Sequence, residues 1–438
     1  MKTLPFFIAS LISSIALAQN PIVPAGMYIA DPSAHVWQDG KLYVYGSVDE
    51  SPNYYCSWRH HVMSTTDMIK WKIEENVFWS KGEYDQVPYS DALLFAPDVM
   101  YKDGTYHMYY CQPDRNAAEG VATSTSPLGP FVNGKKMNVQ GIEEIDPCVF
   151  MDDDGQAYYI WGQFKAKIAK LKPNMTEIDS TTLVTDLLTE KEHFFHEGGY
   201  MVKRNDIYYF VYAHSGRANM PTSIGYSMSG SPMGPFKYGG VIIDNDHCDP
   251  GNWNNHGSIV EFNQQWYVFY HRATHNSNMM RKTCVEPIFF NEDGTIDEVE
   301  MTSQGAGPPL NPYEKIDAER ACLLHGNVRV QMFDLNKEEL GEIRNGDKAC
   351  YKYVDFRDGV KKFTARVKPG KDGGNINVHI EQPWGKRLGS LKVTGSENSE
   401  WVESTCEIES AKDIQVLWFN FHGASEDMFA VDWVRFEN

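Results

Sequence analysis

Short runs of aromatic and β-branched residues alternate with polar pairs along the first 310 positions, and helical spacing of apolar residues is scarce. Runs of this kind, bounded by Asp-Gly or Asn-containing pairs, predict β-strands joined in hairpins. One unit recurs five times, as an apolar strand, a tight polar turn and an aromatic-rich strand. The copies are residues 35–46, 99–110, 149–162, 200–213 and 259–270. Their first turn residues are Asp39, Asp103, Asp154, Asn205 and Asn263, at spacings of 64, 51, 51 and 58 residues. Three of the turns are Asp-Gly, a strong hairpin signal. A second echo, Ser-x-Ser-Pro-x-Gly-Pro-Phe, ends at Phe131 in the second unit and at Phe236 in the fourth. Several strands per period of about 50 residues predict an all-β fold whose first part is a five-bladed β-propeller. A sandwich of irregular hairpins competes with it but predicts no such repeat.

Counting eight residues back from each turn places three acids in one phase: Asp31, Asp146 and Glu197. The second unit has Phe95 there and the fifth has Asn255, next to His256. Equivalent positions of a propeller lie at one height near its axis, so these residues are expected to share a central pocket. Any one Asp-Pro pair is more simply a turn. Three acids gathered in one place cost free energy unless they are used or compensated. Two carboxylates across a pocket suit glycosidic bond cleavage, one as proton donor and one acting on the anomeric side. A third acid beside the donor raises its pKa by repulsion. Asp98 falls out of phase and reads as structural.

The formal net charge of −19 with no basic block excludes nucleic acid as a substrate. Lys2, an apolar run over residues 4–17 and Ala16-Leu17-Ala18 read as a signal peptide, residues 1–18, and imply a secreted or periplasmic protein. No later segment has the length of a membrane span. The eight cysteines are scattered without metal-ligand spacing and read as buried free thiols.

The stretches around Asp31-Pro, Ala-Pro-Asp98, Ile-Asp146-Pro, His-Glu197-Gly-Gly and Asn-His256-Gly-Ser resemble glycoside hydrolase family 43 over residues 21–310. The resemblance implies an inverting enzyme with five blades. It implies that Asp31 is the general base, Glu197 the general acid, and Asp146 the residue that orients the acid and raises its pKa. His256 resembles a central histidine beside a hydrated calcium ion, and Arg281 an arginine that reaches the acids. The fourth unit departs from the family's Glu-Gly-Pro by having Gly199.

After residue 312 the pattern changes. Residues 313–438 resemble a family 6 carbohydrate-binding module, a β-sandwich. Lys348 stands where the family often has an aromatic residue, and Ala430 lies near a place where it often has Asn, so weak sugar binding is expected. Glu319 and Asp432 resemble positions that hold a structural calcium. The expected domains are a glycosidase propeller, 19–312, and the module, 313–438. Aromatic loops carrying Trp58 and Trp253 are expected to wall the pocket and favour exo action on a poly- or oligosaccharide. α-L-Arabinofuranosidase is the first choice. β-Xylosidase or a galactan- or galactofuranose-cleaving exo-enzyme is the alternative, and a non-catalytic glycan-binding protein is the competing class.

Overall fold

The structure, a computed structural model, describes residues 14–17 and 19–438 except 114–118, 140, 143, 219, 358, 425 and 427. The fold is all-β, with a single four-residue α-helix, Glu190–His193, among the described residues. No described helix is long and apolar enough to cross a membrane. The expected signal peptide lies outside the described residues, apart from the backbone of Ser14–Leu17, which pairs with the outer strand of the first sheet.

Five antiparallel sheets follow one another along the chain, each in sequence order from its first strand. Their first strands are Ile29–Val36, Phe95–Lys102, Cys148–Met151, Phe195–Arg204 and Ser258–Phe262. Each first strand packs against the first strand of the next sheet, and the fifth packs back against the first. The hairpins sit where the repeat places them. Asp103-Gly104, Asn205-Asp206 and Asn263-Gln264 have both residues at positive φ, the two-residue turn that matches strand twist. In the first and third hairpins the loop is longer. There Asp39 and Asp154 accept the N–H two residues on, from Lys41 at 3.2 Å and Gln156 at 2.9 Å.

Asp98 ties three first strands together. Its Oδ1 accepts from Ser33 Oγ at 2.5 Å and contacts His35 Nε2 at 2.6 Å, while its Oδ2 accepts the Val149 N–H at 2.7 Å. Burial pushes this carboxyl up, but His35, the Ser33 hydroxyl and the Val149 N–H outweigh it and hold it below its ordinary value.

Residues 316–437 build two further sheets, of six and five strands, that face each other across a separate core. Phe363, Val434 and Phe436 of one sheet and Tyr351, Val378 and Phe419 of the other fill that core. A buried ion pair at 2.5 Å, Lys282 to Glu338, joins this sandwich to the preceding sheets. All eight cysteines are free, and seven are buried.

Candidate active site

Pairing of the first strand with the second slips at the same place in three sheets: between Ala30 and Ser33, Phe95 and Asp98, and Glu197 and Tyr200. Such bulges re-aim side chains. Asp31 and Asp146 take left-handed backbone, at φ 52° and 58°, and so does Gly198, at φ 64°. Non-glycine residues at positive φ cluster where function fixes the backbone. A Cβ on Gly198 would meet the His256 ring at 3.0 Å, so a glycine must follow Glu197.

The three in-phase acids converge. Asp31, Asp146 and Glu197 line one pocket of about 190 Å³ with Tyr55, Phe95, Gln163, Trp253, Asn254, His256 and Arg281. Asp31 Oδ1 accepts from Arg281 Nη1 at 2.6 Å and Oδ2 from Ser47 Oγ at 2.8 Å. His271 Nδ1 stands 3.5 Å from Asp31 Oδ1. Burial pushes the Asp31 carboxyl up. The Arg281 charge, the His271 hydrogen bond and the charge of His256 outweigh that and hold it well below the usual carboxylate range. Asp146 moves the other way: burial, then the charges of Glu197 and Asp31, hold it well above. Its Oδ2 accepts the Gly198 N–H at 3.0 Å, which pins the backbone just after Glu197. Glu197 Oε2 accepts from Gln163 Nε2 at 2.8 Å. Burial holds both His256 and His271 below the ordinary imidazole value, against the pull of Asp31.

Two expected residues are not in the pocket. Asn255 is fully buried in the wall, where its amide donates to Thr222 O and its oxygen accepts the His256 and His271 N–H groups. Its neighbour Asn254 takes the lining position. Trp58 is turned aside: its indole N–H donates to Asp91 O, and Lys81 Nζ sits over its ring. Tyr55, from the same loop, lines the pocket instead. Sequence reasoning also missed Asp49, His271 and Gln163. A signal for part of this set exists: eight residues forward from the five turns lie Ser47, Cys111, Gly162, Ala213 and His271. Ser47 and His271 contact Asp31, and Cys111 Sγ accepts the Asp146 N–H.

His256 Nδ1 faces Asp31 Oδ1 at 3.7 Å and Asp146 Oδ2 at 3.9 Å. Among the described residues no three His, Cys, Asp or Glu side chains are grouped to hold a metal. Calcium takes roughly six to eight oxygen ligands. This donor set therefore fits calcium only as a hydrated ion with His256 as its protein contact. In the sandwich, Asp432 is paired with Arg366. Glu319 is partly buried near Asp317 and Glu338, and burial followed by their charges raises its carboxyl to about 8.

Carboxylates gathered in one pocket suit the cleavage of a glycosidic bond. The sequence profile of glycosyl hydrolases family 43 matches residues 18–296, and that of carbohydrate binding module family 6 matches residues 318–438. The chain belongs to glycosyl hydrolase family 43 and is an inverting glycoside hydrolase with a family 6 module. A xylosidase/arabinosidase of Thermoclostridium stercorarium is 30% identical over 92% of this chain and 96% of its own length. The crystal structure of an arabinoxylan arabinofuranohydrolase from Bacillus subtilis, complexed with cellotetraose, superposes with a TM-score of 0.55. It is 26% identical and covers 97% of this chain and 99% of that one. A β-xylosidase/α-arabinofuranosidase from a compost metagenome, complexed with xylotriose in a calcium-free form, has a TM-score of 0.56. It is 28% identical and covers 66% of this chain and 99% of that one.

Proposed function

We propose that the protein is an exported exo-α-L-arabinofuranosidase that trims side chains from xylan-type polysaccharide, after removal of residues 1–18. Likeness to an arabinoxylan arabinofuranohydrolase over 97% of this chain supports the reading, and the comparably long match to a xylosidase/arabinosidase leaves β-xylosidase as the alternative. The size of the pocket supports exo action. At about 190 Å³ it is smaller than the roughly 300–1,000 Å³ of clefts that hold drug-sized ligands. In this reading the five sheets are propeller blades within residues 19–312, and residues 313–438 are a separate module.

In the proposed mechanism Asp31 is the base. Arg281 keeps it ionised at neutral pH, and it takes a proton from the water that attacks the anomeric carbon. Glu197 donates a proton to the leaving oxygen, with Gln163 fixing its carboxyl. Asp146 holds Gly198 and thereby the acid's backbone. Phe95, Tyr55 and Trp253 enclose the sugar and exclude water. A hydrated calcium at His256 would supply positive charge that offsets the carboxylates.

A panel of nitrophenyl glycosides tests the assignment. The α-L-arabinofuranoside is expected to give the highest kcat/KM. Faster turnover of the β-D-xylopyranoside would replace this reading with a β-xylosidase.

A further inference from the structure

Asp49 is a buried carboxylate that the mechanism above does not use. It follows the second strand of the first sheet, Leu42–Val48, and its carboxyl lies outside the pocket lining, on Arg281. Arg281 gives it three hydrogen bonds: backbone N and Nε to Oδ2, and Nη2 to Oδ1, all at 2.9 Å. Only Nη1 is left for Asp31, at 2.6 Å. Asp49 Oδ1 also accepts the Cys56 N–H at 3.1 Å, which anchors the loop carrying Tyr55. The Tyr55 ring lies over the guanidinium, 5.0 Å from Cζ, and Cys56 Sγ accepts from Nη2 at 3.5 Å.

A guanidinium is a planar fork, and fixing two of its nitrogens fixes the direction of the third. We propose that Asp49 is a positioning residue that aims Arg281 Nη1 at Asp31 and couples the base to the pocket-wall loop. The inference rests on Asp31 being the base. It also accounts for three buried charges in one place, because each carboxylate takes a different edge of a single cation. The groups facing Arg281 are Asp31, Asp49, Cys56 and Tyr55, with the rings of His256 and His271 beyond Asp31.

Asp49→Asn keeps the size of the side chain but cannot accept from all three donors. Arg281 then loosens, and Nη1 is no longer aimed at Asp31 Oδ1. kcat is expected to fall by about 10–100-fold, the scale of a misplaced catalytic group, with KM changing far less. If Asp49→Asn melts below the assay temperature, Asp49→Ser is read in the same way. A structural ion pair alone would lower the melting temperature and leave kcat and KM in place wherever the variant is folded, and that result overturns the proposal. Asp31→Ala, run alongside, separates the two claims. An inactive Asp31→Ala with an unchanged kcat in folded Asp49→Asn removes only the role of Asp49, whereas an active Asp31→Ala removes the base itself.

Discussion

Arg281 Nη1 closes on Asp31 Oδ1 at 2.6 Å, with both side chains buried and 250 residues apart in the chain. The contact joins the start of the first sheet to the last strand of the fifth. It also sets the protonation of Asp31, which burial alone would raise.

Arg281→Lys keeps a positive charge but loses the fork. An ammonium cannot serve Asp31 and Asp49 together in the same geometry. The acidic limb of kcat/KM is expected to shift to higher pH, with lower kcat at neutrality. A pH–rate profile that overlays the wild type would show that the fork does not control the base.

Asp98 carries a different kind of load. Its folded carboxyl is depressed, so its contribution to stability is present above the unfolded value of about 3.9 and is lost as pH falls. Asp98→Asn is expected to cost about 2–4 kcal/mol at pH 7, the scale for breaking buried charged hydrogen bonds. The gap between variant and wild type should narrow below about pH 4. Denaturant unfolding at pH 7 and at pH 3.5 measures both values. An equal gap at the two pH values would mean that the ionised form is not what ties the strands.

The reach of sequence reading follows from the repeat. The turns at Asp39, Asp154 and Asn205 gave the phase of Asp31, Asp146 and Glu197, and the structure brings these three to one pocket. The phase failed at Asn255 because a shared backbone position does not fix which way a side chain points, and Asn255 turns into the wall to satisfy buried N–H groups. Trp58 failed for a related reason, since the loop between second and third strands lies outside the repeat. Asp49 was hidden because it follows the second strand and acts through an arginine 232 residues away. His271 and Ser47 were accessible to the same count run forward. Asp146, the third acid, is itself held well above its ordinary value by burial and the charges of Glu197 and Asp31.

Chelation tests the ion. If a hydrated calcium sits at His256, EDTA lowers kcat or the melting temperature and added calcium restores it. His256→Ala weakens activity and keeps the fold. Unchanged activity and melting in EDTA would leave Arg281 as the compensating cation of the pocket.

The central claim is that Asp31 and Glu197 divide the chemistry as base and acid. Its most direct test is kcat of Asp31→Ala and Glu197→Ala on the preferred aryl glycoside, with melting curves to confirm folding. Each variant is expected to lose on the order of 10²–10⁴-fold in kcat, the scale of a missing general acid or base, while remaining folded at the assay temperature. Near-wild-type turnover by either folded variant would contradict the assignment.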